Sequence, residues 1–580
     1  MNWLLDESGI YAEATEIRWD RLHLYITVRV DVPEESSVDP ALLDYYMVYR
    51  SGKARAKFDV KPCEDGQLEL HVNVTNNGEN QSIPFGVYTV YLCDGEDVLA
   101  SCDTSMELAN LLPERSRIFT YNAFHNSYNV QFFVEVTEED RLPFRIHIRN
   151  LQEISLAFPR NTELKDDILQ VVETNRHDVR YRVRRLYKKG YQKHRKDRKN
   201  TVLFLTVQSD ALVNNLKAVY DKMLERELDK QFRILVYAKN KAGLRMDQYD
   251  DWEEFIDMVT SAQYIILDDH VPAFDWLWIE RSQKIIQLWH AGAGFKSSGY
   301  NRWGNIGSPG PQSAHRQYTW GIAGSKKIAV FFADGWGINE EKVIPTGMPR
   351  MDSYLDEEYR LEKTAELRRK YPICEGKKVI LFAPTFRGKN RSDAFYPYEM
   401  LDLDKLYEVC GEKYIVLFKK HPWVNNKLVI PDRYQDRFQV IDSYPNINDL
   451  FYITDLLITD YSSGIYEYSL MRKPMLFYAF DEERYGFSRG FHRSLHESAP
   501  GKVCHDFDGI IRAIREEDFE FEKVEAYVEH HFDYFDTHSC DRVIDWFLLG
   551  QMPAEFTARL KKKREEMKRM AKLDFTRPDN

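Results

Sequence analysis

No stretch of this sequence approaches the ~18 consecutive apolar residues of a membrane-spanning helix. Its opening, MNWLLDESGIYAEATEIRWD, carries acidic residues where a secretory leader needs a basic segment followed by an unbroken apolar run. Both absences set the expectation of a cytoplasmic protein. No CxxC pair occurs among the seven cysteines, Cys63, Cys93, Cys102, Cys374, Cys410, Cys504 and Cys540. Neither a zinc site nor a disulfide framework is therefore expected, and reduced thiols are. Net positive charge is also missing: the balance is -12, which argues against a dedicated nucleic-acid binder.

What is present is globular in composition, with 43% hydrophobic and 30% charged residues. At 580 residues the chain exceeds the ~250–300 at which a single core stops growing, so about three domains are expected. Residues 1–155 alternate apolar and polar side chains over short runs bounded by Gly, Asn, Asp or Pro. The clearest are Leu22 to Val32, Leu68 to Val74 and Val87 to Cys93, with further strands at Ser116 to Tyr121, Val130 to Val136 and Phe144 to Ile148. That pattern predicts an all-β accessory domain, a sandwich with an added hairpin layer. It carries no GxGxxG, no HExxH and no clustered carboxylate pair.

Residues 156–200 turn helical and strongly basic, crowding Arg180, Arg182, Arg184, Arg185, Lys188, Lys189, Lys193, Arg195, Lys196, Arg198 and Lys199 around Tyr181, Val183, Leu186, Tyr187 and Tyr191. The tail, 551–580, repeats the theme from Arg559 to Lys572, with Phe556, Leu560, Met567, Met570 and Leu573 interleaved. Such segments adsorb to anionic membrane surfaces, so peripheral attachment to the inner face of the cell membrane is expected.

Between them, apolar runs alternate with amphipathic helix patterns: Thr201 to Val207, Arg233 to Tyr237, Tyr264 to Leu267, Lys284 to Trp289, Val379 to Ala383, Tyr414 to Lys419, Leu456 to Thr459 and Pro474 to Tyr478. Continuous apolar strands separated by helices indicate parallel sheets covered on both faces. The array is too long for one such unit and breaks after Ile344 to Asp352, which predicts an α/β fold of two doubly wound, Rossmann-like lobes, 201–350 and 351–550, facing across a cleft.

Ligands bind such folds where loops leave the C-terminal ends of strands. Four of those loops carry chemistry here: HAGAGFKSSG from His290, PTFRG from Pro384, His421-Pro422, and DYSSG from Asp460. Each part alone has a plain structural explanation, since a strand-end histidine is often a core residue and Asp460, Ser462 and Ser463 serve equally as helix caps. Their convergence on one sheet edge points to a phosphate-handling cleft. The helix start after Asp460 would hold a pyrophosphate with about half a unit of dipole charge. Arg387 would grip phosphate oxygens bidentately and His421 would donate to the leaving phosphate. His290, from the opposite lobe, is left as general base on an acceptor hydroxyl. No metal or cofactor is expected, because Asp402 and Asp404 precede a helix start, and Asp268, Asp269 and His270, which follow a strand, repeat no recognisable ligand spacing.

In this order, QLWHAGAGFKSSGY, VIPTGMPRMD, ILFAPTFRG, KKHPW and ITDYSSGIYEYSLMRKPMLFYAFDEERY resemble the CDP-glycerol glycerophosphotransferase family, which includes teichoic acid glycerol- and ribitol-phosphate polymerases. FDTHSCDRVIDWF is similar to the family's closing helix, and the likeness runs over roughly residues 201–550. It implies a GT-B architecture, a CDP-polyol donor in the C-terminal lobe, release of CMP, and a lipid-linked polymer acceptor. By motif, His290 and His421 take the catalytic positions, and Thr385, Arg387, Asp460, Ser462, Ser463 and Glu467 the donor-binding ones. Gly292, Lys296, Gly347 and Arg350 line the acceptor side. Ala291 stands where the family often has glycine, and His492, Arg493 and His496 depart from the pattern in a way that would reshape the pocket for another polyol. A GT-B glycosyltransferase using a nucleotide sugar is the alternative function, and a catalytically inert membrane scaffold is a rival from another class.

Overall fold

The computed structural model describes residues 9–50, 52, 54–95, 97–121, 126–135, 141–150, 163–240, 249–292, 294, 296–304, 308–388 and 391–570, without the side chains at 163–178, 249–250 and 487–489. The N-terminal region is one hydrogen-bonded sheet of eleven strands, nine of them on a single path and two, Asp44–Tyr49 and Arg55–Lys57, branching from it. It is antiparallel except where Tyr11–Asp20 runs parallel to Asp97–Thr104. Alternation explains the strands: in Leu68–Asn73, Leu68, Leu70 and Val72 point inward and their neighbours outward. The path curls over one core, because Leu24 and Ile26 pack with Val130 and Ile146 from its other end. The Tyr128 hydroxyl crosses that core to donate to the Ile83 carbonyl at 2.6 Å. The strand Tyr11–Asp20 escaped the sequence reading because a register shift between Ala14 and Glu16 breaks its alternation.

Two six-stranded, wholly parallel sheets follow. The first runs in the order Arg233–Ala238, Thr201–Thr206, Tyr264–Leu267, Lys284–Gln287, Trp320–Ala323, Val343–Pro345. The second runs Phe438–Val440, Tyr414–Phe418, Lys378–Phe382, Leu456–Thr459, Met475–Tyr478, Lys502–Cys504. All six residues of Thr201–Thr206 are buried, as expected of a strand covered on both faces. Trp320–Ala323, Val343–Pro345, Phe438–Val440 and Lys502–Cys504 were not foreseen, because three or four residues are too few to show a period. Each sheet begins at an inner strand and grows outward on both sides. Crevices therefore open where the order reverses, beside Lys378–Phe382 and Leu456–Thr459 in the second sheet.

The closing segment returns to the first lobe. Asp352 accepts from the backbone N–H groups of Ser539 (2.9 Å) and Cys540 (2.7 Å), and Arg226 pairs with Asp541 and Asp545. Gly347 belongs to this contact rather than to the cleft: its φ is 79°, and a Cβ there would lie 2.4 Å from the Ser539 hydroxyl.

The basic segment lies on the helix Glu163–His194; residues 156–162 of the expected linker are outside the described residues. Val183 and Tyr187 are not available to a membrane, because they are buried in the first lobe's core, whereas Tyr181 is 55% exposed. The Tyr187 hydroxyl donates to Gln283 at 2.6 Å, and Gly190 lets the helix approach Thr260 so closely that a Cβ would meet its hydroxyl at 2.6 Å. Arg198 is buried too, donating to Ser282 at 2.7 Å. Around the exposed Tyr181 the outward face is charged: Arg180, Arg182, Arg185, Lys188, Lys189, Arg195 and Lys196 are exposed.

The C-terminal helix Ala554–Met570 docks back on the rest of the chain. Phe556 and Met570 are buried, and Lys57–Glu566 (2.8 Å) and Arg569–Asp44 (2.5 Å) tie its end to the β region. Lys572 and Leu573 lie outside the described residues. Among the described residues no helix is long and apolar enough to cross a membrane.

Candidate functional site

The strand Lys284–Gln287 ends two residues earlier than the sequence suggests, because Trp289 turns to a φ of 52°, a left-handed conformation costly for a bulky residue. Two side chains hold that turn. Gln287 accepts from the Trp289 N–H at 2.9 Å, and the buried Asn215 amide donates to the Leu288 and Trp289 carbonyls. His290 then stacks on Trp289 with ring centroids 4.5 Å apart and remains 45% exposed. Its Nδ1 lies 3.2 Å from the Asp268 carbonyl and 3.8 Å from the Asp269 carboxylate. A carbonyl only accepts, so Nδ1 carries the proton and Nε2 presents a free lone pair.

The same loop is seated on the second lobe. Gly292 packs so tightly on the Tyr466 ring that a Cβ would lie 2.5 Å from it. Arg350 bridges the lobes, donating from Nη1 to the His290 carbonyl at 2.6 Å and pairing through Nη2 with Glu467. Glu467 is buried and spent on that pair, so it does not face a ligand. Lys296 reaches across as well: its backbone bridges Phe491, its ammonium sits 5.7 Å over the Tyr485 ring, and its charge acts on His421.

On the second lobe the frame is a buried ion triad. Arg387 makes a two-pronged contact with Asp481 (2.6 and 2.9 Å) and donates through Nη1 to Asp460 at 2.9 Å. Tyr396, Tyr461, Phe480 and Tyr485 surround the guanidinium at 5.1–5.6 Å. Its protonated form is strengthened by the two carboxylates against the penalty of burial. Asp460 is fully buried and also accepts from the Thr385 N–H (2.8 Å) and hydroxyl (2.9 Å). Arg387, Thr385 and Asp460, expected to touch the donor, are thus turned onto one another: a carboxylate buried without partners costs far more than a phosphate contact forgone. The helix after DYSSG is also shorter than expected, Ile465–Ser469, which shrinks its dipole.

The groups left facing the crevice are Ser462, whose hydroxyl accepts from the Gly464 N–H at 3.2 Å, the exposed Ser463, and His421. His421 Nδ1 accepts from the Trp423 N–H at 3.2 Å, so Nε2 carries the proton. Burial, helped by the Lys296 and Lys419 charges and opposed by Asp460, pushes its pKa down to about 4. It is a neutral hydrogen-bond donor at neutral pH. The structure thus seats the His290 loop on the second lobe through Gly292, Lys296 and Arg350, with the Lys296 charge acting on His421; Ser462 and Ser463 follow the strand Leu456–Thr459 at the second sheet's crevice, Thr385, Arg387, Asp460 and Glu467 are tied into the frame, and Gly347 lies elsewhere.

The departures at 492–496 turn away from the seam. His492 is buried between Arg21 and Asp334, and Arg493 donates to His531 at 2.8 Å. Asp402 caps a helix by accepting from the Lys405 N–H at 3.0 Å, and Asp404 pairs with Arg433. Asp269 was weighed only as a metal ligand, and its place beside His290 was missed. The signal was there: neighbouring parallel strands carry Leu267 opposite Gln287, so their next residues emerge together.

Asp268 offers a pH test. Burial, with a smaller push from Asp269 and opposition from the Thr206 hydroxyl and His290, raises its pKa to about 6. A folded-state pKa above the ordinary ~3.9 means that the folded chain binds this proton more tightly than the unfolded one. Its ionisation therefore lowers stability as pH rises from about 4 to about 6, and the loss persists above that. Asp268→Asn is expected to gain about 2–3 kcal/mol in urea unfolding at pH 8 and almost nothing at pH 4; equal effects at both pH values would contradict the assignment.

Comparison with known proteins bears on the family and the fold. A model of the CDP-glycerol:poly(glycerophosphate) glycerophosphotransferase family matches residues 189–549. The teichoic acid ribitol-phosphate polymerase TarL of Staphylococcus aureus (strain NCTC 8325 / PS 47) is 40% identical over 347 residues, covering 60% of this chain and 62% of that one. A teichoic acid poly(ribitol-phosphate) polymerase of Bacillus spizizenii (strain ATCC 23059 / NRRL B-14472 / W23) is 37% identical over 356 residues, covering 61% and 56%. The chain thus spans roughly three fifths of the length of these two relatives. Among solved structures, a variant of the wall teichoic acid polymerase TagF superposes with a TM-score of 0.51 at 22% identity, covering 66% of this chain and 98% of that one, a likeness of fold. With 361 consecutive residues matched by the family model and the paired parallel lobes in place, the chain belongs to the CDP-glycerol:poly(glycerophosphate) glycerophosphotransferase family.

Proposed function

We propose that the chain transfers ribitol phosphate from CDP-ribitol to the hydroxyl end of a lipid-linked teichoic acid or capsule-type polymer, releasing CMP. The observation that carries this reading is the seating of the His290 loop on the second lobe through Gly292, Arg350 and Lys296. One seam then holds a proton acceptor on one side and phosphate donors on the other. Ribitol is favoured over glycerol because the relatives at 37–40% identity are named as ribitol-phosphate polymerases, whereas those named for glycerol phosphate match at 24–29%.

In the proposed reaction the acceptor hydroxyl oxygen bonds to the phosphorus of ribitol phosphate while the bond to the CMP oxygen breaks. The hydroxyl proton passes to His290 Nε2. Charge growing on CMP is met by the Nε2–H of His421, by the Lys296 ammonium, and by the hydroxyls and N–H groups at Ser462 and Ser463. Such donors need no reorganisation at the moment of transfer. His290→Ala and His421→Ala are each expected to lower kcat by about a hundredfold or more with unchanged far-UV circular dichroism. The assay is CMP release with CDP-ribitol, CDP-glycerol and UDP-sugars offered in parallel. Turnover only with a UDP-sugar, or near-normal rates in both variants, would overturn the reading.

We also infer peripheral attachment to an anionic membrane through the outward basic face of the helix Glu163–His194. With Val183 and Tyr187 buried in the lobe and Tyr181 exposed among the cations, adsorption would be mainly electrostatic, ~1 kcal/mol per cation near the headgroups, and screened by salt. Co-sedimentation with phosphatidylglycerol vesicles is expected at low salt and lost at high salt. Replacing Arg180, Arg185, Lys188 and Lys189 by Glu should abolish it, and salt-insensitive or absent binding by the unaltered chain would contradict it.

A further inference from the structure

Glu482, His496 and His505 lie outside the seam and have no role in the reaction above. They come from three successive places in the chain: the first turn of the helix Glu482–Arg489, the short helix Leu495–Ser498, and the residue after the strand Lys502–Cys504. Their ligand-type atoms all fall within 4.8 Å of one another. Both imidazoles converge on the same carboxylate oxygen: His496 Nε2 is 3.3 Å and His505 Nδ1 3.9 Å from Glu482 Oε2, with the rings 5.3 Å apart.

We propose that these three side chains bind one divalent transition-metal cation of the zinc class. In a tetrahedral site with bonds of about 2.0–2.1 Å, neighbouring ligand atoms stand roughly 3.3–3.4 Å apart. The His496–Glu482 separation matches that edge, and the His505–Glu482 separation exceeds it by about half an ångström. Two imidazoles and one carboxylate suit zinc, cobalt or nickel; magnesium and calcium take all-oxygen shells. His496 and His505 are more than half exposed, so the remaining positions are open to water or to a phosphate oxygen. His505 Nδ1 also lies 3.3 Å from the Ala479 carbonyl, so ligation requires the ring to take its Nε2–H tautomer and give up that contact. A surface ion pair explains one imidazole beside Glu482, but it gives no reason for the second to approach the same oxygen.

The site would act as a clamp. The chain between its ligands is the strap that meets the acceptor loop, where the Ser297 N–H donates to the Gly490 carbonyl at 3.2 Å and Phe491 bridges Lys296. The strap starts one residue after Asp481, which holds Arg387. A cation joining 482, 496 and 505 would add a tie at both ends of this segment, whose middle is already anchored through His492 and Arg493. This inference does not depend on which donor the enzyme uses.

The test uses the full-length chain without a histidine tag, stripped with EDTA and titrated with ZnCl2 by calorimetry and with CoCl2 by visible absorption. One saturable site per chain is expected, with cobalt d–d bands and slower hydrogen exchange over 490–504 on adding zinc. Glu482→Gln and the double variant His496→Ala/His505→Ala should weaken zinc binding at least tenfold and lose the exchange protection. His538→Ala, a histidine elsewhere on the surface, should retain both. All these side chains are partly or largely exposed, so circular dichroism should confirm folded variants. Absence of saturable zinc binding, or zinc binding unchanged in the double variant, overturns the proposal.

Discussion

The second lobe's active edge depends on one guanidinium. Arg387 joins the loop after Lys378–Phe382 to the loop after Leu456–Thr459 through Asp460, and to the segment after Met475–Tyr478 through Asp481. Three adjacent parallel strands are thus tied at their C-terminal ends, and the aromatic ring cluster around the guanidinium excludes water from the tie. Burying such a triad contributes little net stability, but removing one member would strand a charge at a cost of about 3–5 kcal/mol. Its value lies in geometry: with Arg387 committed, the Ser462–Ser463 turn and His421 have fixed positions from which, in the proposed reaction, they donate.

The second constraint is the contact between lobes. Gly292 on Tyr466 and Arg350 between His290 and Glu467 set where the proposed base stands relative to the proposed phosphate donors. Neither contact is chemical in itself. A side chain at 292 would separate the lobes by the thickness of a methyl group, and loss of Arg350 would release the His290 carbonyl and leave Glu467 buried without a partner. Reactions that rest on positioning are sensitive to shifts of that size. The strained backbone at Trp289 fits the same purpose, since it turns His290 out of the sheet and towards the seam.

Much of this was legible in the sequence. The parallel lobes followed from continuous apolar strands, and the four loops with chemistry followed from strand ends. Roles were harder to read, because they depend on partners far away in the chain. Arg387 reads as a phosphate ligand until Asp460 and Asp481, 73 and 94 residues on, are seen to fill its fork. Glu467 reads as solvated or ligand-facing until Arg350 is found beside it. The basic helix reads as a surface-adsorbing segment whose aromatics share in the contact until Val183 and Tyr187 are seen to bury in the lobe. In each case composition gave the residue type and only tertiary packing gave the partner.

The central claim is that Arg387 frames the donor site while His421, Lys296 and the serine turn hold the diphosphate opposite His290. A crystal structure of the chain bound to CDP-ribitol tests it most directly. The account predicts that Arg387 keeps its two-pronged contact with Asp481, with the diphosphate within hydrogen-bond reach of His421 and the reacting phosphorus on the side open to His290. A guanidinium swung off its carboxylates onto phosphate, or a diphosphate bound away from the seam, would contradict it.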